Sequence, residues 1–503
     1  MGSLKVFVLL IIEEGKMIKR GFQQNIIVAF LMGVFFGLSW SMTASGQDDQ
    51  KVRFRMKLPR NIQDRPAIPP SIDIAGQNIR QLTVDLIGGM DYFDSLKEKG
   101  YPVELLEVQP QQLDQRYLTP DKIYALIKSL AEQFPEIVET ERIGDSIQGR
   151  PIFAVRLSSK QNALFKPAIL FNGMHHAREV MSLEVTADIM TYLATHYNDP
   201  NTPWVTTWLD NLAIWVVPQV NPDGNTIVWT NDTWWRKNAR GDGANVWGVD
   251  INRNYPFQWN FCNGSSDNRE DQAYRGESPA SEPETKALMH LVEEQNVAMD
   301  VSYHSYSELV IAPYGCTNEF TPEDPIIQNI GFDLAKQLRK DNGDEKDHYD
   351  YGQPWQLLYP VDGDDISWMY HDFNVMAYVI EVNAADQGFQ PDYEQWRNKT
   401  VLAQRAGWQT MLHRLLTGPQ VRGRMLDAKT GKPVDGNVMI ANVKYTTEKP
   451  RHGKNGIYQK LLIPGSYELV FTAAGYEAQT VPISIDQGEP LSLDIFFEPV
   501  AFE

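Results

Sequence analysis

Apolar residues form two alternating patterns in the middle of the chain. Between residues 117 and 416, short apolar runs alternate with longer stretches in which apolar residues recur every three or four positions. The first pattern is typical of buried β-strands and the second of amphipathic helices. Strands are predicted at residues 152–157, 168–171, 212–217, 297–303 and 376–382, and helices at residues 181–197, 283–295, 327–342 and 396–416.

A further helix is predicted to open this region. Thr119 can cap its first turn and Pro120 suits the first helical position, while Ile123 and Leu130 belong to an apolar set with a helical period. Strands that alternate with helices predict an α/β fold, in which helices cover both faces of the sheet. Ligands of such sheets collect at the strand ends.

The two flanking regions follow other patterns. Residues 47–112 contain a proline-rich linker at 60–70 and then predict a strand, a helix and a strand at 80–87, 92–99 and 103–108. Such a module is either a prosegment that is removed or a permanent N-terminal domain. Residues 419–503 alternate apolar and polar positions between regular turns, which predicts a small all-β sandwich.

The pattern of the first 46 residues predicts a secretory signal. Lys19 and Arg20 precede the apolar stretch 26–40, and the small residues 44–46 offer cleavage after Gly46. Met17 is an alternative start. A membrane anchor is the competing interpretation, but the stretch is shorter than the ~20 residues of a span. Export predicts a secreted or periplasmic protein with no stable membrane span after cleavage.

Length and net charge restrict the number of domains and the class of partner. A chain of 503 residues is too long for one ordinary core, which predicts two or more domains. The net charge of -19 argues against a nucleic-acid partner. Cys262 and Cys316 are the only cysteines; export would permit a disulfide, and two free thiols are the alternative.

The candidate chemistry lies in residues 172–179, directly after a predicted buried strand. His176 stands three residues before Glu179 and His175 four, so either histidine could share a metal ion with this glutamate. His304, at the end of another predicted strand, is the candidate third ligand. Two histidines and one glutamate with a fourth position open form the arrangement of a catalytic zinc site.

Six motifs in order then give a family resemblance. The chain resembles the zinc metallocarboxypeptidases of the carboxypeptidase A superfamily, the M14 peptidase family, in His176-Ala-Arg-Glu179, Asn221-Pro-Asp-Gly224, Trp235-Arg-Lys237, Gly248-Val-Asp-Ile-Asn-Arg-Asn254, His304-Ser-Tyr306 and Glu381. The resemblance implies a zinc carboxypeptidase domain with a mixed sheet over residues 113–418. The C-terminal region resembles transthyretin-like, carboxypeptidase-regulatory-like modules that often follow this domain, and we expect an accessory role for it.

The resemblance also implies roles at the metal. His176, Glu179 and His304 would hold one Zn²⁺, and Asp250 would support a zinc-bound histidine. Glu381 would be the general base, although a buried structural ion pair is the alternative for a carboxylate in an apolar strand. Arg236 would stabilise the negative charge that develops on the carbonyl oxygen.

The remaining roles concern the substrate. By resemblance, Asn252 and Arg253 would bind its terminal carboxylate, Tyr359 would close over it, and Arg178 and Tyr306 would contact residues further along the peptide. Ile366 stands where the family selects the C-terminal side chain, and Asp364 occupies a position that is glycine in A-like and B-like enzymes. An apolar wall beside a carboxylate predicts acceptance of both apolar and basic residues.

The sequence therefore predicts a secreted zinc carboxypeptidase that acts on peptides or proteins with a free C-terminus. Two alternatives stay open at this point. One is a carboxypeptidase of cell-wall peptides, and the other is a non-catalytic protein that binds peptides and serves adhesion.

Overall fold

The computed structural model describes residues 50–160 and 166–500. The predicted signal at residues 1–46 lies outside this described part. No helix within the described ranges is long and apolar enough to cross a membrane.

An antiparallel sheet and one helix form the N-terminal part. The sheet has the order β2-β3-β1-β4 and packs one face on α1. Its elements are β1 (Lys51–Lys57), β2 (Asp73–Asn78), β3 (Thr83–Gly89), α1 (Met90–Glu98) and β4 (Val103–Val108). The predicted helix and the strand at 103–108 are confirmed. The strand predicted at 80–87 begins too early, because residues 79–82 form the turn between β2 and β3.

The central region is built on an eight-stranded sheet of order β11-β10-β12-β9-β7-β8-β6-β5. Its strands are β5 (Val138–Asp145), β6 (Pro151–Leu157), β7 (Ala168–Gly173), β8 (Ala213–Val217), β9 (Val297–Ser305), β10 (Leu309–Ile311), β11 (Asp350–Gly352) and β12 (Met376–Val382). Strands β12, β9, β7 and β8 run parallel, whereas β6 pairs antiparallel with β8 and β10 with β12. The mixed sheet is therefore confirmed.

Helices cover both faces of this sheet. They are α2 (Pro120–Gln133), α3 (Val180–Thr195), α4 (Pro203–Asn211), α5 (Pro222–Thr230), α6 (Pro283–Gln295), α7 (Asp324–Ala335), α8 (Pro354–Leu357), α9 (Asp365–Phe373) and α10 (Asn398–Thr417). Alternate residues of β7 enter different cores: Ile169 packs with α3 and α10, and Leu170 packs with α6 and α9. This alternation explains the continuous apolar run of the strand.

The structure confirms the predicted start of one helix and shortens another predicted helix at its end. The Thr119 hydroxyl accepts a hydrogen bond from the Lys122 amide, as the predicted cap requires. The helix predicted at 327–342 is too long, because α7 ends at Ala335. Beyond it, the Gln337 and Leu338 amides bond to carbonyls only three residues back, so the chain tightens into a turn although Leu338 keeps the apolar period.

Two four-stranded sheets form the C-terminal part, as the alternating pattern predicts. Their strands are β13 (Gln420–Asp427), β14 (Gly436–Ile440), β15 (Arg451–Gly453), β16 (Ile457–Leu461), β17 (Gly465–Thr472), β18 (Gln479–Ile485), β19 (Leu491–Ser492) and β20 (Ile495–Phe497). One sheet joins β16, β13, β19 and β20, and the other has the order β15-β14-β17-β18. Apolar side chains between them continue the core that lies beneath α10.

Candidate active site

Three neighbouring parallel strands bring the candidate residues together at their carboxyl ends. The loop after β7 carries His176 and Glu179, the end of β9 carries His304, and the end of β12 carries Glu381. Glu381 lies opposite His304 in the register of β12 and β9. At Gly173, a Cβ would lie 3.0 Å from the Ser182 carbonyl oxygen, so glycine lets α3 pack closely behind the site.

The imidazoles of His176 and His304 and the carboxylate of Glu179 converge, with one ligand atom of each close to the others. His176 Nδ1 lies 2.8 Å from one Glu179 oxygen, and His304 Nδ1 lies 3.0 Å from the other. The two Nδ1 atoms are 3.1 Å apart. Buried nitrogen atoms that face each other and a shared carboxylate form a donor set suited to a divalent ion, and tetrahedral zinc accepts such ligands. The three residues thus fit a zinc ion.

The structure distinguishes the two adjacent histidines. His175 points away from Glu179, and its Nε2 lies 2.9 Å from the Tyr255 hydroxyl in a fully buried position. His176 is the histidine of the metal-ligand cluster.

Asp250 connects this cluster with Arg236. One Asp250 oxygen lies 3.1 Å from His176 Nε2, and the other accepts bonds of 2.9 and 3.1 Å from the Arg236 guanidinium. Burial alone would raise the pKa of Asp250, but Arg236 and His176 hold that pKa well below its ordinary value. The ionised carboxylate can therefore orient the imidazole and the guanidinium together.

Glu381 differs from the other buried charges of the site. Among the described residues, its carboxylate has no hydrogen-bond or ion-pair partner, and the side chain is partly exposed to the cavity above the cluster. This contradicts the alternative of a structural ion pair. Burial and the Glu179 carboxylate raise the pKa of Glu381, which is the direction that suits a group exchanging protons.

The cavity above the cluster also contains most of the predicted substrate-binding residues. Asn252, Arg253, Tyr306, Tyr359, Asp364 and Ile366 line it together with Arg236 and Glu381. Arg253 is held by the carbonyl oxygens of Gly264 at 3.0 Å and Asn252 at 2.7 Å. These backbone bonds leave part of its planar guanidinium free to bind an anion.

Asp364 also stabilises the start of a helix. Its carboxylate caps α9 by accepting a hydrogen bond of 2.9 Å from the Ser367 amide. Burial raises its pKa to about 6. The side chain is thus both a helix cap and a polar group in the cavity wall.

Two predicted residues are held by the N-terminal sheet. Tyr306 donates its hydroxyl to Asp85 at 3.1 Å. Arg178 does not line the cavity described above; it forms an ion pair with Asp73, and its guanidinium lies 4.1 Å above the Phe389 ring. Both side chains are buried.

Some cavity residues escaped the sequence analysis. Ile311, Leu358 and Val379 form apolar walls of the cavity, but only Val379 belongs to a predicted strand, and none of the three carries a local sign of a ligand site. Ala75 and Gly76 of β2 also line the cavity, and a Cβ on Gly76 would lie 3.3 Å from the Tyr306 ring. Their small size allows β2 to approach, and the pair of small residues is the only local signal.

Cys262 and Cys316 form a disulfide, which answers the question that the sequence left open. It connects loops that contact the pocket segment, because Asp362 accepts hydrogen bonds from the amides of Phe261, Cys262 and Gly264. The bond thus supports the wall that contains Asp364.

Comparisons with known proteins agree with this geometry. The family model described as "Zinc carboxypeptidase" matches residues 123–402 and does not reach the C-terminal sheets. Zinc carboxypeptidase A 1 of Anopheles gambiae is 31% identical over 56% of this chain and 61% of its own length. Carboxypeptidase A4 of Mus musculus is 30% identical over 54% of this chain and 62% of its own length.

The chain therefore spans about three fifths of these curated relatives. The crystal structure of carboxypeptidase A from Helicoverpa armigera shares the fold with a TM-score of 0.60 and 20% identity, over 73% of this chain and 98% of that one. Since the family model covers more than half of the 503 residues, the chain belongs to the zinc carboxypeptidase family.

Proposed function

We propose that this protein is an exported zinc-dependent carboxypeptidase that releases the C-terminal residue of peptides. The proposal rests on one observation. Glu381, whose carboxylate has no partner among the described residues, and Arg253, whose guanidinium is partly free, face the metal-ligand cluster within one cavity. His176, Glu179 and His304 would hold the metal. When bound, zinc would supply Lewis-acid polarisation of the carbonyl and a lowered water pKa.

Side chains around the metal-ligand cluster would bind the substrate, stabilise charge and transfer the proton. Arg253 and Asn252 would bind the terminal carboxylate and orient the last peptide bond. Arg236, fixed by Asp250, would stabilise the negative charge that develops on the carbonyl oxygen. A carboxylate oxygen of Glu381 would take the proton of the attacking water and deliver it to the departing amine. Tyr359 would close over the bound residue.

We further propose a pocket that accepts apolar and basic C-terminal residues. Ile311, Leu358, Ile366 and Val379 provide apolar walls, and Asp364 supplies one carboxylate beside them. The variant Asp364→Asn tests this directly, since asparagine retains the helix cap and removes the charge. We expect the rate of Lys and Arg release to fall relative to that of Leu and Phe, and an unchanged ratio would refute the role of Asp364.

Residues 47–112 are proposed to be a prosegment, residues 113–418 the catalytic domain, and residues 419–503 an accessory transthyretin-like sandwich. The prosegment proposal is supported by the position of β2 across the cavity, whose volume is ≈ 60 Å³. Ligand pockets have volumes of roughly 300–1,000 Å³. A peptide residue therefore requires β2 to withdraw.

Two acidic residues strengthen this interpretation. Asp73 pairs with Arg178, and Asp85 accepts the Tyr306 hydroxyl, so both predicted peptide-binding side chains are engaged while the module is bound. Removal of the module would free them. The disulfide supports export, because such bonds persist in oxidising compartments.

Mass spectrometry of unblocked peptides that differ only in their last residue tests the reaction. The full chain would be assayed before and after limited digestion with trypsin, which can reach the exposed connector residue Arg116. We expect stepwise C-terminal loss after digestion, none with a metal chelator, and none with Glu381→Gln. Persistent inactivity of a folded, digested and zinc-loaded chain would refute the proposal, as would full activity of Glu381→Gln.

A further inference from the structure

A second cleft lies at the opposite end of the central sheet. It is formed by the amino ends of β7 and β8 and the end of α6 on one side, and by β13, β16 and the turn before β16 on the other. Its volume is ≈ 640 Å³, within the roughly 300–1,000 Å³ of small-molecule sites, which are frequent at domain interfaces. The candidate active site lies at the carboxyl ends of the same strands.

The charge of this cleft is opposite to that of the whole chain. The protein has a net charge of -19, yet the charged side chains that line the cleft are mostly cationic. The cations are Arg156, Lys166, Arg422, Arg424, Arg451 and Lys454, and the acids are Glu294 and Asp494.

The acids neutralise only part of this positive charge. Arg424 pairs with Asp494 at 2.5 Å, and Lys454 pairs with Glu294 at 2.9 Å. Both pairs are partly exposed to solvent, which weakens the attraction between their charges. Arg156 pairs with a carboxylate that does not line the cleft.

Three of the cations have no carboxylate partner among the described residues. Lys166 donates only to neutral oxygens, including the carbonyls of Ser159 at 2.7 Å and Leu209 at 2.9 Å. Arg451 is 3% exposed and donates to the carbonyls of Val297 at 2.5 Å and Asn296 at 2.7 Å. The side chain of Arg422 makes neither a hydrogen bond nor an ion pair within the described part of the chain.

The surroundings confirm that this positive charge is poorly compensated. Burial lowers the pKa of Lys166 to about 8, with a further contribution from Arg156, and burial lowers the pKa of Arg451 to about 10. Among the described residues, the buried Nε atom of Arg451 has no hydrogen-bond partner, nor has the buried indole N–H of Trp215, which also lines the cleft. Unpaired buried donors and cations destabilise the fold, and an anion beside them removes part of that cost.

We propose that this cleft binds an oxyanion, either as a free phosphate or sulfate ion or as the acidic group of a saccharide. Arg422 is the cation available for direct contact, while Lys166 and Arg451 supply a fixed positive field. Ile457, which is partly exposed, provides apolar surface that a sugar ring can contact. This site is independent of the peptidase proposal.

Isothermal titration calorimetry of the full chain at constant ionic strength tests the proposal with two probes, sodium sulfate and a sulfated disaccharide. Arg422→Gln removes a cation whose side chain makes no hydrogen bond or ion pair with the described residues, and Ser492→Glu adds an anion at an exposed position of the cleft. Arg339→Gln makes the same chemical change as the first variant at an exposed position that does not line the cleft. Circular dichroism establishes that each variant is folded.

We expect saturable binding that weakens about tenfold or more in Arg422→Gln, is lost in Arg422→Gln/Ser492→Glu, and is unchanged in Arg339→Gln. Tighter binding of the disaccharide than of sulfate would identify the ligand as an acidic saccharide, and equal affinities would identify a free ion. Binding that is insensitive to both cleft variants would place the anion at another site, such as Arg253, and overturn the proposal. Absence of binding by both probes would overturn it as well.

Discussion

Replacement of Lys460 by methionine provides a sharp test of how the C-terminal sandwich is attached. Lys460 lies in β16, and its ammonium is 2.6 Å from both oxygens of Glu323, the residue that precedes α7. It also lies 2.5 Å from the Asn374 side-chain oxygen at the end of α9. The side chains of Lys460 and Glu323 are 1% and 0% exposed, so water screens their attraction very little.

The magnitude follows from what the substitution leaves behind. Methionine has a comparable length but no charge, so Glu323 keeps only two neutral donors, Tyr445 at 2.5 Å and Asn374 at 3.2 Å. Breaking a buried pair on one side costs roughly 3–5 kcal/mol. Because two donors remain, we expect Lys460→Met to lower the free energy of opening of β16 by about 3 kcal/mol. Adding Glu323→Gln removes the stranded charge and should recover part of this loss.

Hydrogen exchange of the β16 amides measures this local free energy. A loss of about 3 kcal/mol corresponds to exchange roughly a hundredfold faster. Lys454→Met is the matched control, because the same chemical change in the same sandwich removes an exposed pair with Glu294 and should cost less than about 1 kcal/mol. The reasoning fails if Lys460→Met accelerates exchange less than the control does, or if Glu323→Gln brings no recovery.

Two further predictions concern the proposed prosegment and the pH dependence of stability. Asp73→Asn removes the charge that pairs with Arg178, so we expect the undigested chain to hydrolyse peptides at least about tenfold faster than wild type, whereas Asp64→Asn in the exposed linker should have no effect. Burial raises the pKa of Glu284 to about 7, so the folded state binds this proton more tightly than the unfolded state. Stability should therefore fall by about 3 kcal/mol between pH 4.5 and 7, and urea titrations of Glu284→Gln should lack this decline. An equally steep decline in that variant would refute the assignment.

The sequence predicted β7, β8, β9 and β12 because these strands are buried along nearly their whole length. It did not predict β5, most of whose residues are exposed or half-buried, or β10 and β11, which have only three residues each. Residues 376–380 and 168–171 appear as continuous apolar runs, and the polar residues that follow such runs mark the strand ends. Ligand-type residues at the ends of separate strands could then be expected to meet. The order of the strands, which places β9 between β7 and β12, has no local signature.

Contacts across long sequence separations were not predictable. β2 has little apolar alternation, and apart from the two adjacent small residues nothing in its sequence indicated that Ala75 and Gly76 would reach the cavity. The disulfide joins residues separated by 54 positions, and only the fold brings those positions together. Glu381 was ambiguous for the same reason, since the absence of an ion pair is a property of its surroundings rather than of its strand.

The segment that contains the candidate pocket is fixed at both ends by elements outside the central sheet. Near its beginning, Asp362 accepts amides of the disulfide loop, and at its end Asn374 contacts Lys460 of the sandwich. Asp364 and Ile366 lie between these two attachments, at the start of α9. A pocket wall held in this way can present a carboxylate and an apolar surface with little reorganisation. The sandwich thus supports the wall of the proposed pocket without contributing a residue to the cavity.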